Sequence, residues 1–186
     1  DLEELEREVE KKLKELEDRV RKVIEESKTE LKKLEEELRE NSREVRDILR
    51  RLEEDVRRKV KDDEDLKRKL RKLKEDMERV NEEVEKRFRD LARELRKHAR
   101  DLEREAKRLK EEVEETLRRV RKKNVEDKRL LEELRRRLDR VRKEVERLIK
   151  EHRETTDELR KRVEKLSEDH RREVEKLAKT VKDELK

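Results

Sequence analysis

Three histidines, His98, His152 and His170, are the residues of this chain best suited to chemistry, because imidazole transfers protons and binds metals near neutral pH. The 186 residues include no Cys, which excludes a thiol nucleophile, a disulfide and a thiolate metal site. Two His from different segments are a weak indication of a metal site, and a Ser–His contact needs an orienting acid and a cleft. We therefore predict no catalytic residue, no cofactor-binding residue and no metal ligand, and we expect that the protein is not an enzyme.

Polar side chains also occupy positions that an apolar stripe would otherwise fill. These are Ser27, Ser42, His98, Thr116, His152, Thr156, Ser167 and His170, with Asn41, Asn81 and Thr155 one position away. Burying such groups without partners costs about 1–3 kcal/mol each. They are therefore expected to pair with one another across the elements that carry them.

The spacing of the apolar residues predicts that these elements are long helices. In the middle of the chain, five core positions repeat every 18 residues, which corresponds to the 3.6 residues per turn of a straight α-helix. The repeat runs through Leu66, Leu70, Leu73, Met77 and Val80, then Val84, Phe88, Leu91, Leu95 and His98, then Leu102, Ala106, Leu109, Val113 and Thr116. A heptad repeat would instead favour a left-handed supercoil. We expect nearly straight helices.

Two interruptions of the apolar stripe divide the chain into three helices. The first is the acidic run 62–65, and the second is the polar stretch around Asn124. Basic residues precede each interruption and acidic residues lie in or after it, which is the order that the helix dipole favours. Asp62 or Asp63 can cap the second helix, and Asn124, with Asp127 three residues later, can cap the third.

These boundaries predict helices at about 2–61, 64–122 and 125–185 within one domain, 1–186. Short connections make consecutive helices antiparallel. The expected fold is all-α: an antiparallel up-down-up bundle of three long, nearly straight helices with an 18-residue repeat. In that bundle, residue p of the first helix faces about position 125 − p of the second and about position 125 + p of the third.

This folding scheme collects the interior polar residues into two layers. The first contains Ser27, His98, His152 and Thr155 or Thr156, and the second contains Asn41 or Ser42, Asn81, Ser167 and His170. Thr116 has no polar match, since it would face Val9 and Leu134. We predict that the layers are buried hydrogen-bond networks that determine helix register. A pH switch is the alternative, because protonation of a buried His leaves a charge in the core.

The composition argues against several other classes of protein. The chain has no Gly and no Pro, which the tight turns of sheets and the phosphate-binding loops rely on. Charged residues make up 65% of the chain, but both signs alternate and the net charge is only +5. Because Phe88 is the one aromatic residue, no stacking platform exists and we expect no nucleic-acid partner. No apolar run approaches the length of a bilayer span, so we expect no membrane partner.

The repeat, the three near-equal helices, the dipole-matched charges and the interior polar layers resemble, over the full length, computationally designed single-chain helical bundles with buried hydrogen-bond networks. The absence of Gly from the connections departs from the loops that such bundles often use. The resemblance implies a soluble, monomeric, hyperstable scaffold with no natural substrate, cofactor or required partner. The alternative is an interaction protein that self-associates into a long homo-oligomeric coiled coil.

Overall fold

The computed structural model describes residues 2–59, 63–123 and 128–184. They form three α-helices, α1 (Leu2–Lys59), α2 (Glu64–Lys123) and α3 (Lys128–Glu184), and the described residues include no strand. The long helices pack against one another. The prediction of an all-α three-helix bundle is therefore confirmed.

The helix ends follow the polarity of the helix dipole. Acidic residues lie in the first turns of α1 and α2, and basic residues lie in the last turn of every helix. Asp63 caps α2: its Oδ1 accepts hydrogen bonds from the backbone N–H groups of Asp65 at 3.1 Å and Leu66 at 3.2 Å. The other capping residues predicted from the sequence, Asp62, Asn124 and Asp127, lie outside the described residues.

Contacts between Cα atoms group the chain into two compact units, and each helix contributes residues to both. Unit 1 comprises Asp1–Thr29 and Glu94–Asp157, and unit 2 comprises Glu30–Arg93 and Glu158–Lys186. The prediction of a single domain over 1–186 is not tested by this grouping and stays a prediction.

Unit 1 has a continuous apolar core built from all three helices. Val9, Val113 and Leu134 are completely buried and represent α1, α2 and α3 in that core. An ion pair joins Glu17 to Lys110, whose numbers add to 127, as expected for antiparallel helices. The pairing of Glu26 with Arg153, whose numbers differ by 127, is that of two parallel helices.

Unit 2 contains two smaller apolar clusters. Leu52 is completely buried in one of them, and Met77 is buried in the other. The residue numbers of the ion pair Glu53–Lys74 again add to 127, whereas those of the hydrogen-bonded pair Ser42–Asn81 add to 123. The predicted constant of 125 lies between them, so both pairs are within two residues of the predicted register.

Candidate functional site

The interior of unit 1 contains a pair of histidines in contact with each other. His98 on α2 is half-buried, and His152 on α3 is completely buried. Their Nδ1 atoms lie 3.2 Å apart, and their ring centroids lie 5.4 Å apart. The centroid separation exceeds the nitrogen separation by about the width of one imidazole ring. The rings therefore meet edge to edge, with the Nδ1 atoms of both directed at each other.

The environment of His152 favours its neutral form. Burial, and secondarily the neighbouring His98 imidazole, lowers the pKa of His152 from 6.5 to about 4. The other ring nitrogen, Nε2, is buried and has no hydrogen-bond partner among the described residues. At neutral pH His152 is thus an uncharged ring, and a single Nδ1–H can form the hydrogen bond between the two Nδ1 atoms.

The hydroxyl groups predicted for this layer bond within their own helices. Ser27 donates to the carbonyl of Ile24 at 2.7 Å. Thr155 and Thr156 donate to carbonyls four residues earlier, at 2.9 Å and 2.8 Å respectively. Such local bonds compete with bonds across helices because the carbonyl is always within reach of the hydroxyl. In the unit 1 polar layer (Ser27, His98, His152, Thr155 and Thr156), the histidine pair makes the hydrogen bond that joins two helices.

Unit 2 instead joins its helices through side-chain amides. Asn41 Nδ2 on α1 donates to the backbone carbonyl of Ser167 on α3 at 3.1 Å and also contacts the Ser167 hydroxyl. Asn81 Nδ2 on α2 donates to the hydroxyl of Ser42 on α1 at 2.7 Å. Helix α1 is therefore tied by hydrogen bonds to both other helices.

His170 completes the unit 2 polar layer (Asn41, Ser42, Asn81, Ser167 and His170). Its side chain is buried, and its Nε2 has no hydrogen-bond partner among the described residues. Burial lowers the pKa of His170, and the charge of Glu173 partly opposes that effect. His170 is thus a second interior imidazole that favours the neutral state, without the His neighbour that His152 has.

A further polar contact in unit 1 joins Thr116 to Arg137, a residue that was not among the predicted interior polar residues. Thr116 is buried and donates to the carbonyl of Glu112 at 3.0 Å. Its hydroxyl accepts a hydrogen bond from Arg137 Nη1 on α3 at 2.9 Å, and Arg137 also pairs with Glu133. The predicted register could have indicated this contact, because Leu134 was expected opposite Thr116 and Arg137 lies one helical turn after Leu134. A long guanidinium side chain spans that turn.

One of the clefts in unit 1 lies where a core position holds a small residue. A cleft of about 190 Å³ lies beside Ala106, with Val20 and Val145 among its walls and the Glu17–Lys110 ion pair at its rim. The same position of the 18-residue repeat holds Leu70 and Phe88 elsewhere in α2. The cleft is therefore the volume that a larger side chain fills in the other two repeats.

The described residues show neither a metal-binding cluster nor a membrane-spanning helix. Among the described residues, no group of three or more His, Cys, Asp or Glu side chains is placed to hold a metal ion. None of the helices, over the residues described, has the length and apolar character that crossing a bilayer requires.

Comparisons with protein-family models, with curated proteins and with solved structures each found no match to this chain.

Proposed function

We propose that this protein is a designed structural scaffold: a monomeric, highly stable three-helix bundle whose interior polar layers specify helix register. The observation that carries the proposal is the direction of its interior contacts. The bonds Asn41–Ser167, Ser42–Asn81 and His98–His152 each join one helix to another. The absence of a matching family is consistent with a designed origin.

These contacts discriminate between registers because they penalise sliding. If α1 moved by one turn against α3, Asn41 would lose both of its Ser167 acceptors. A part-buried amide without a partner costs about 1–3 kcal/mol, whereas an apolar contact that slides by one turn meets another apolar residue. The polar layers therefore add specificity that the repeated Leu and Val positions lack.

The surface supports the monomeric state. Leu177, at 37% exposure, is the one large apolar side chain that is exposed among the described residues. The remaining surface is rich in charged pairs four residues apart on the same helix, such as Glu8–Lys12. Stable interfaces bury about 1,200–2,000 Å² and have an apolar centre, and a surface of this kind offers none.

Sedimentation equilibrium over a hundredfold range of protein concentration tests the proposal. We expect a single species at the monomer mass of 23.3 kDa, and cooperative unfolding only at high guanidinium concentration. A mass of two or more chains that dissociates on dilution would instead favour the long homo-oligomeric coiled coil. The proposal includes no substrate, cofactor, nucleic-acid or membrane partner, and no enzymatic activity.

A pH-responsive bundle is the second candidate, because His152 and His170 are both buried and both have a lowered pKa. An unfolded His has a pKa of about 6.5, so between that value and about 4 the unfolded chain binds protons that folded His152 does not. Falling pH therefore lowers the free energy of unfolding across this window. The contribution is fully present above the window and is lost towards its lower end.

A switch requires a change of structure as well as a loss of stability. Small-angle X-ray scattering and circular dichroism between pH 7 and pH 4 distinguish the two. A switch predicts a cooperative expansion within the window in the native sequence and none in the His98→Leu/His152→Leu variant. Unchanged dimensions down to pH 4 would exclude the switch and leave the scaffold proposal intact.

A further inference from the structure

The edge-to-edge arrangement of His98 and His152 places two nitrogen lone-pair positions on one line. The Nδ1–Nδ1 distance of 3.2 Å plus the distance from each ring centre to its Nδ1 atom nearly equals the 5.4 Å between the centroids. The two ring centres and the two Nδ1 atoms therefore lie nearly on one line. The lone pair of an imidazole nitrogen points outward along the line from the ring centre through that nitrogen. A cation midway between the two Nδ1 atoms would therefore lie on the lone-pair axis of both rings.

We propose that His98 and His152 form a two-coordinate site for a soft monovalent d¹⁰ ion, copper(I) in chemical class, with silver(I) as its redox-stable analogue. Ions of this class accept two nitrogen ligands in a linear arrangement. The site goes beyond the scaffold role, and its failure would leave that proposal unaffected.

The number and charge of the ligands select this class of ion. Zinc sites use about four ligands in a tetrahedron, and no third His, Cys, Asp or Glu joins this pair among the described residues. Both imidazoles are neutral ligands, so they leave the charge of a bound ion uncompensated. Because the penalty for burying an ion rises with the square of its charge, a monovalent ion is tolerated far better than a divalent one.

Binding requires a small separation of the rings. Two collinear metal–nitrogen bonds of about 2 Å each span about 4 Å, somewhat more than the present 3.2 Å. His98 provides the adjustment, because it is half-buried whereas His152 is completely enclosed. Its partial exposure also gives the ion a route from solvent.

The rest of the chain competes weakly for such an ion. Apart from His98 and His152, the chain contains no Cys, one Met and one His. The remaining soft or imidazole ligands, Met77 and His170, both lie in unit 2 and away from the pair in sequence. They therefore serve as internal controls.

The test is a titration of the intact protein with silver nitrate in chloride-free buffer at pH 7.5, followed by isothermal titration calorimetry and by nitrogen-15 NMR of the imidazoles. We expect one ion per chain and shifted Nδ1 resonances for His98 and His152, with His170 unchanged. Zinc should bind at least about tenfold more weakly than silver.

Matched variants assign the site. His98→Leu and His152→Leu should each lower the silver affinity at least about tenfold, whereas His170→Leu and Met77→Leu should leave it unchanged. The NMR readout on the native sequence stands even if a variant folds poorly. Unshifted Nδ1 resonances, retained affinity in His98→Leu, lost affinity in Met77→Leu or tighter binding of zinc would each overturn the proposal.

Discussion

The two units place different chemistry in their interior polar layers. Unit 1 connects α2 to α3 through two imidazoles, while unit 2 connects α1 to both neighbours through amides. An amide keeps its hydrogen-bonding character at every pH between about 2 and 12, whereas an imidazole changes charge near neutrality. We therefore expect the imidazole contact of unit 1 to depend on pH and the amide contacts of unit 2 to be independent of it.

The units also differ in how α2 fills one position of its repeat. Leu70 and Phe88 occupy that position in unit 2, and Ala106 occupies it in unit 1, where the cleft lies. One position of the sequence repeat thus accommodates a large side chain in unit 2 and a small one in unit 1.

Shortening Leu70 to Ala should have the largest effect, because it creates in unit 2 the gap that Ala106 leaves in unit 1. We expect Leu70→Ala to lower the free energy of unfolding by about 2–3 kcal/mol, since lost burial and a residual cavity add. Denaturant unfolding measures it. The exposed Lys72→Ala is the matched control, and an equal loss in that variant would contradict the cavity explanation.

The contrast between imidazole and amide layers predicts where acid sensitivity resides. Between pH 7 and pH 5 the native protein should lose about 2 kcal/mol of stability from His152, given its pKa of about 4. His152→Leu should remove that loss, and His170→Leu should remove a smaller one. Carboxylates such as Glu17, whose pKa is lowered by its hydrogen bond to Lys110, affect stability below this window. The idea fails if His152→Leu keeps the full dependence on pH.

Breaking the amide contact of unit 2 should be less costly and independent of pH. Asn41→Leu leaves the Ser167 hydroxyl without its donor, and we expect a loss of about 1–2 kcal/mol at both pH 7 and pH 5. The double variant Asn41→Leu/Ser167→Ala should recover part of that loss, because the hydroxyl left without its donor is then removed as well, while the Ser167 carbonyl remains in both variants. Additive losses in this double-mutant cycle would show that the contact between the Asn41 amide and the Ser167 hydroxyl contributes nothing.

Removal of the α2 cap should have a comparable but local effect. Asp63→Ala deletes the acceptor for two backbone N–H groups, for which we expect a loss of about 1 kcal/mol. Asp63→Asn retains a capping oxygen and should lose only a few tenths. Hydrogen exchange of the Asp65 and Leu66 amides should report the change, and slow exchange in both variants would argue against the cap.

Filling the cleft should give the smallest change and the only gain. Ala106→Leu introduces the side chain found at the equivalent Leu70, and we expect a stabilisation of about 0.5 kcal/mol. Thermal unfolding of Ala106→Leu is compared with that of Ala106→Ser, in which the new side chain does not fill the space. A loss with Leu would mean that Val20 and Val145 close the space too tightly for it.

Much of the fold follows from local patterns in the sequence. The 18-residue spacing predicted three helices, and the acidic run predicted the cap that Asp63 provides. These features depend on interactions within a few turns. Register was predicted to within two residues, because short connections leave little freedom in how far one helix slides along the next.

The polar contacts were less accessible to such reasoning. Ser27 occupies a core position as expected, yet it donates to its own helix. Arg137 keeps 41% of its side chain exposed, yet it donates to the hydroxyl of the buried Thr116. Both outcomes depend on the rotamer and the reach of a side chain. Residue spacing carries no information about either.

The sequence alone determined which residues are helical, where helix α2 is capped and which side chains face inward, because helix periodicity sets the angle of each residue around its axis. The tertiary structure decided which polar atoms meet: the Nδ1 atoms of His98 and His152, and the amide of Asn41 with Ser167. It also decided that Ala106 leaves a cleft. Hydrogen bonds and packing vary over fractions of an ångström, and that precision exists only once three helices have settled against one another.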